Sequence, residues 1–143
     1  MIKLFTDAAT NGQPGQAGIG IVIAGENICK QLAVGLDKIM SIHEAEWETF
    51  IFGLKYLQSQ NLTEQLVICY TDSQLIAQSI EKNFVKNKLF RPYLDDFHSL
   101  AASFSIIHVE WIPSSQNKGA DNLAKQGLQK AIRQHRKNHR LLS

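Results

Sequence analysis

Long apolar runs are absent from this 143-residue chain: the stretches present are a handful of residues each, far below the ~20 that cross a bilayer. Met1 leads straight into strand-like sequence and not into a secretory leader. A cytosolic (cytoplasmic) protein without membrane association is expected. Cysteine is scarce too. Cys29 and Cys69 are the whole complement, each in an apolar strand-like run with no second Cys or His at a metal-ligand spacing. That excludes a disulfide framework and a thiolate metal site, and points to buried thiols in a reducing compartment. Internal repeats and low-complexity tracts are missing as well. The chain is too short for two ordinary domains yet, at 44% hydrophobic residues, long enough to bury one core.

The formal charge of +2 is too small to name a partner, but its distribution is uneven: Lys130, Arg133, Arg136, Lys137 and Arg140 follow Asp121 with no acid among them. A basic C-terminal tail from about residue 130 is expected. It reads equally as a solvated helix end favoured by the helix dipole and as a segment that attends phosphates. Beyond about Arg136, where charge is high and apolar content low until Leu141, disorder is expected.

Hydrophobic patterning supplies the elements. Ile2–Thr6 reads as a strand, and residues 9–16, with Asn11-Gly12 and Pro14-Gly15, as a turn that returns the chain antiparallel. Residues 17–24 and 28–36 are Ile/Val/Leu-rich strands around a Gly25-Glu26-Asn27 turn. Ala45, Phe50, Leu54 and Leu57 then recur at helical spacing over about 43–60, with Ser41 as N-cap. A short buried strand at 66–71 precedes a helix capped by Ser73 and running to about Lys82. A weaker helix over about 92–103, a strand over 105–112 and a helix from about Lys118 complete the order βββαβααβα. Meandering strands followed by strand–helix alternation predict an α/β fold with a five-stranded mixed sheet and helices on both faces.

Four carboxylates stand out against this pattern. Asp7 and Asp72 each close an apolar strand, where acids are poor strand formers. Alone, each reads as a turn or cap; together, if their strands are adjacent and parallel, they would share the carboxyl edge of the sheet. Glu46 sits one turn before Phe50 on the sheet-facing side of its helix, while Glu44 and Glu48 are turned away. Asp121 flanks the stripe Ala120, Leu123, Ala124, Gly127, Leu128 and Ala131 in the first turn of the last helix. Either of these two alone reads as a first-turn acid favoured by the helix dipole. Four converging acids repel by several kcal/mol unless neutralised. Hard oxygen donors without Cys or a His pair favour magnesium or manganese, and the matching chemistry is a two-metal phosphodiester displacement.

These residues sit in segments that together resemble a family. Thr6-Asp7-Ala8-Ala9, Glu44-Ala45-Glu46-Trp47, Thr71-Asp72-Ser73-Gln74 and Asn117-Lys118-Gly119-Ala120-Asp121-Asn122-Leu123-Ala124 look like the four signature segments of type 1 ribonuclease H. Gln13-Pro14-Gly15-Gln16-Ala17-Gly18 is similar to its Gly-Asn-Pro-Gly turn. The resemblance covers nearly the whole chain in order. It implies one ribonuclease H-like domain over residues 1–143 and a magnesium-dependent endonuclease cutting the RNA strand of RNA–DNA hybrids to leave 3′-hydroxyl and 5′-phosphate ends. Two ions, Mg2+ or Mn2+, would be held by Asp7, Glu46, Asp72 and Asp121. The resemblance makes Asp7 the bridge between the ions, puts Glu46 at the leaving-group ion, has Asp72 place the attacking water and lets Asp121 complete the other shell. Gln13, His43, Ser73, Gln74 and Asn117 are the implied substrate contacts, Gln74 near the minor groove where 2′-hydroxyls mark RNA.

The chain departs from the family pattern in three places. Ile42 and His43 replace two asparagines that contact the hybrid in many members, which bears on affinity and selectivity. The loop from Ile112 to Asn117 is short and lacks the histidine that assists product release in some members, so it is closer to compact archaeal and plant-like forms. Ser114, Ser115 or Lys118 is available there instead. No inserted basic helix follows Lys82, Lys86 and Lys88. Two other classes compete with the enzyme reading: a nucleic-acid-binding module with little hydrolysis, and another nuclease of the superfold acting on DNA. No obligate protein partner is evident in the sequence.

Overall fold

The computed structural model describes residues 1–142. Its elements follow the expected order: β1 (Ile2–Thr10), β2 (Gly15–Gly25), β3 (Cys29–Met40), α1 (Ile42–Ser59), β4 (Leu66–Thr71), α2 (Gln74–Lys82), α3 (Arg91–Ala101), β5 (Ile106–Trp111) and α4 (Lys118–Leu142). Two short 3-10 turns, Lys88–Phe90 and Ser114–Gln116, were not anticipated. The five strands form one mixed sheet in the order β3-β2-β1-β4-β5, antiparallel from β3 to β1 and parallel from β1 to β5. Among the described residues no helix is long and apolar enough to cross a membrane.

Side-chain alternation sorts the sheet into two faces. Ile2, Leu4, Ile19, Ile21, Ile23, Val67 and Cys69 are buried with Trp47, Phe50, Leu54 and Leu57 of α1 and Leu94 and Phe97 of α3 in the main core. On the opposite face α4 lies directly on backbone: a Cβ at Gly20 would overlap the Ala120 carbonyl, and one at Gly18 would overlap the Leu128 amide. Glycine in these strands sacrifices strand propensity for a close helix approach.

Several boundaries differ from the sequence reading. β1 continues to Thr10 because its antiparallel partner β2 pairs as far as Ala17, so Asp7 lies inside the strand and not at its end. β3 continues to Met40 past a register shift that leaves Asp37 and Lys38 without partners on β2. Cys29 is exposed at the start of this edge strand, and only Cys69 is a buried thiol. The segment beyond Arg136, expected to be disordered, is helical to Leu142; no Gly or Pro follows Gly127, and Arg, Gln, Lys and Leu are strong helix formers.

Candidate active site

The acids converge through strand register and helix starts. β1 pairs with β4 from Ile2↔Val67 to Thr6↔Thr71. Asp7 and Asp72 are the next residues on the two chains, on neighbouring tracks about 4.8 Å apart. Asp7 also pairs with Gly20 across β2, and Ala120 lies over that glycine, which brings the first turn of α4 and Asp121 to the same face. Glu46 arrives from the other layer, in the second turn of α1, whose start is fixed by Ser41 accepting from the Glu44 amide at 3.2 Å.

Electrostatics show that the four groups share one field. Asp7 is 9% exposed, and its carboxyl is pushed up to about 8. Burial is the largest cause; the negative charges of Asp72 and Asp121 and a hydrogen bond with Asp121 add to it, against one bond from the Ala8 amide. That amide donates at 2.9 Å. Burial likewise holds the Glu46 carboxyl above its ordinary range; Ser73 and His43 hydrogen bonds oppose the rise, and Asp72 adds to it. Desolvation of clustered like charges is the expected signature of a site that takes up cations.

Basic and polar neighbours already engage parts of this cluster. Lys125 Nζ lies 3.0 Å from Asp121 Oδ2, one helical turn away, and His43 Nδ1 lies 3.4 Å from Glu46 Oε2. Among the described residues no three or more His, Cys, Asp or Glu side chains are drawn together tightly enough to hold a metal as they stand. Lys125 and His43 each engage a carboxylate oxygen, of Asp121 and of Glu46. The donor set fits a hard divalent cation: all-oxygen, anionic, partly desolvated and without thiolates.

The five residues expected to contact substrate separate into two groups. His43 and Gln74 are exposed at the first turns of α1 and α2. Gln13 is exposed, but its side-chain oxygen accepts from the Ile42 amide at 3.1 Å, tying the β1–β2 turn to the start of α1. Ser73 is buried; its hydroxyl caps α2 by accepting from the Ile76 amide at 3.2 Å and bonds to Glu46. Asn117 is turned inward at 2% exposure, its Nδ2 donating to the Thr6 carbonyl at 2.9 Å. It braces α4 against β1 one residue before Asp7 and does not face solvent. Sequence reasoning missed Lys125, although an acid–base pair at i,i+4 is legible. It also missed Trp111, whose indole donates to the Asp72 carbonyl at 3.1 Å and which nothing in the local pattern announces.

Acids gathered on the carboxyl edge of a β3-β2-β1-β4-β5 sheet, with one helix laid on glycines, define a ribonuclease H-like α/β protein. Comparisons with known proteins agree. The family model described as "Reverse transcriptase-like" matches residues 5–127. EbsB of Enterococcus faecalis, whose name assigns it provisionally to the hydrolases, is 43% identical over 130 residues, covering 91% of this chain and 96% of that protein. A ribonuclease H of Trichodesmium erythraeum is 33% identical over 85 residues, 59% of this chain and 51% of that protein. The crystal structure of LC11-RNase H1 in complex with RNA/DNA hybrid superposes with a TM-score of 0.83 at 25% identity, covering 92% of this chain and 99% of that one. The chain belongs to the type 1 ribonuclease H family of enzymes.

Proposed function

We propose that this protein is a magnesium- or manganese-dependent endonuclease that hydrolyses the RNA strand of RNA–DNA hybrids, with Asp7, Glu46, Asp72 and Asp121 holding two ions. One observation carries the reading: strand register and the start of α4 bring Asp72 and Asp121 close enough to the buried Asp7 for their charges, after burial itself, to raise its carboxyl, so the folded cluster favours a compensating positive charge. Membership of a ribonuclease H family and likeness to a neighbour solved on an RNA/DNA hybrid support the substrate class. A cytoplasmic location and a single domain over the whole chain accompany this reading.

Bound divalent ions would supply the activated water and the stabilisation of the leaving oxygen that a phosphodiester displacement requires. The chain's own residues orient the acids. Ser73 and His43 fix the Glu46 carboxylate from two sides. Asn117 locks the β1 backbone just before Asp7, and Trp111 holds the backbone at Asp72. Lys125 holds Asp121 and must yield when a stronger positive charge enters. His43 and Gln74, both exposed beside the acids, are the side chains placed to meet the duplex; here a histidine takes a place where many members carry asparagine.

The test is a panel of end-labelled substrates, an RNA–DNA hybrid, an RNA duplex and a DNA duplex, incubated with magnesium or manganese. Cutting confined to the RNA of the hybrid is the expected result. Binding without cutting in either metal would make the protein a binding module, and cutting of duplex DNA would make it a different nuclease of the superfold.

A further inference from the structure

The basic end of α4 has no role in the site described above, yet its placement is not arbitrary. Ala120 lies over Gly20, Leu128 over Gly18 and Ala131 over Gly35. Gly20 pairs with Asp7, Gly18 with Ala9, and Gly35 with Gly18. The helix therefore starts level with Asp7, rises to the level of Ala9 and crosses obliquely from β2 to the edge strand β3. Its root there is pinned: Lys130 Nζ donates to the Ala33 carbonyl at 2.8 Å, and Gln16 Nε2 donates to the Ala131 carbonyl at 3.4 Å.

Past that root the helix stands clear of the sheet, with residues 133–141 all exposed. No Asp or Glu follows Asp121 in the sequence. Asp37, on the β3 bulge, lines a groove with Lys130, Gln134 and His135 at the root, not along the outer face. An overhanging helix gains nothing from a core, and like charges one turn apart repel; both costs are offset when a polyanion lies alongside. Arg133, Arg136 and Lys137, at i, i+3 and i+4, share one face.

We propose that the last turns of α4 form a phosphate-gripping arm that clamps a nucleic-acid duplex away from the cut through Arg133, Arg136 and Lys137. The arm is a specificity device for duplex length, and the proposal rests on the hydrolytic reading for its substrate. At 1.5 Å per residue these side chains lie about 18–24 Å along the axis from Asp121, or roughly five to seven base pairs at ~3.4 Å each. A lipid surface is the poorer match, because Leu141 is the one apolar residue among positions 133–141 and interfacial helices need a broad apolar face.

The test compares wild type with R133Q/R136Q/K137Q, substitutions that keep good helix formers, with circular dichroism as the check on α4. Fluorescence anisotropy with a fluorescein-labelled hybrid of about 24 base pairs is read in EDTA, where nothing is cut. The expected slope of log affinity against log salt is shallower by about 2–3 in the variant, one phosphate per lost cation, with affinity at least about tenfold weaker at low salt. In magnesium, kcat at saturating hybrid stays the same, and kcat/KM falls on the long hybrid but not on one of about eight base pairs cut at its centre, whose roughly four base pairs on either side stop short of the arm. An unchanged salt slope, or equal losses on long and short hybrids, would overturn the arm. So would retained hybrid binding in a variant that no longer binds phosphatidylserine vesicles, since the arm would then serve a membrane. A wild-type protein that cuts no hybrid would sink the hydrolytic reading alone, because the binding slope decides the arm without cleavage.

Discussion

Replacing Asp7 by asparagine should make the metal-free protein more stable, although Asp7 is the most buried of the four acids. The Asp7 carboxyl has an ordinary value of 3.8 and is pushed up to about 8 in the fold, first by burial and then by Asp72 and Asp121. Because the folded value is the higher one, the folded state binds the extra proton between these limits. Stability is therefore full below about pH 4 and is lost as pH rises through about 8. A shift of about four units at 1.36 kcal/mol each sets a ceiling on the order of 5 kcal/mol. Relaxation of Asp72 and Asp121 away from Asp7 reduces it, and about 2 kcal/mol at pH 7.5 is a conservative expectation. Asparagine keeps an oxygen to accept the Ala8 amide, so the bond at 2.9 Å survives. Thermal unfolding in EDTA at pH 7.5 should show Asp7→Asn melting about 6 °C or more above wild type, with the gap closing at pH 4. Millimolar magnesium should raise the wild-type Tm and leave the variant almost unmoved. A variant that melts below wild type in EDTA, or a wild type indifferent to magnesium, would refute the idea that these acids are held together at a cost that cations relieve.

Other changes separate the scaffold from the chemistry. Gly20→Ala places a methyl against the Ala120 carbonyl, so urea unfolding should show a loss of about 3 kcal/mol or more, together with reduced activity as Asp121 is displaced. Ser73→Ala removes the α2 cap and a Glu46 hydrogen bond; stability should fall by about 1 kcal/mol, and the Glu46 titration seen by NMR should move further up. Lys125→Gln frees Asp121 from an exposed ion pair, so calorimetry should find magnesium binding tightened by about twofold, with stability changed by less than about 0.5 kcal/mol.

Much of this was legible in the sequence because two periodicities change where the elements change. The Ile19, Ile21, Ile23 alternation and the Ala45, Phe50, Leu54, Leu57 stripe each match a buried face, and Ser41 and Ser73 are the caps they were expected to be. The anomalous acids were visible for the same reason, as charges where the pattern calls for apolar residues. What remained hidden depends on contacts between distant segments. Asp7 reads as a strand end because local sequence cannot reveal that β2 keeps pairing where β4 stops. Asn117 and Gln13 entered as substrate contacts through the resemblance; their bonds to the Thr6 carbonyl and the Ile42 amide were hidden because those partners lie 111 and 29 residues away. Gly18, Gly20 and Gly35 weaken a strand on propensity alone, and only the backbone of α4 laid across them explains their presence.

The most direct measurement is single-turnover cleavage of an end-labelled RNA–DNA hybrid in magnesium by wild type and by Asp72→Asn, a change at a partly exposed position whose folding is verified by an unchanged melting profile. The account predicts that wild type cuts the RNA strand and that the variant is slower by about a thousandfold, the loss of several kcal/mol of transition-state stabilisation. Equal rates for the two proteins would contradict it.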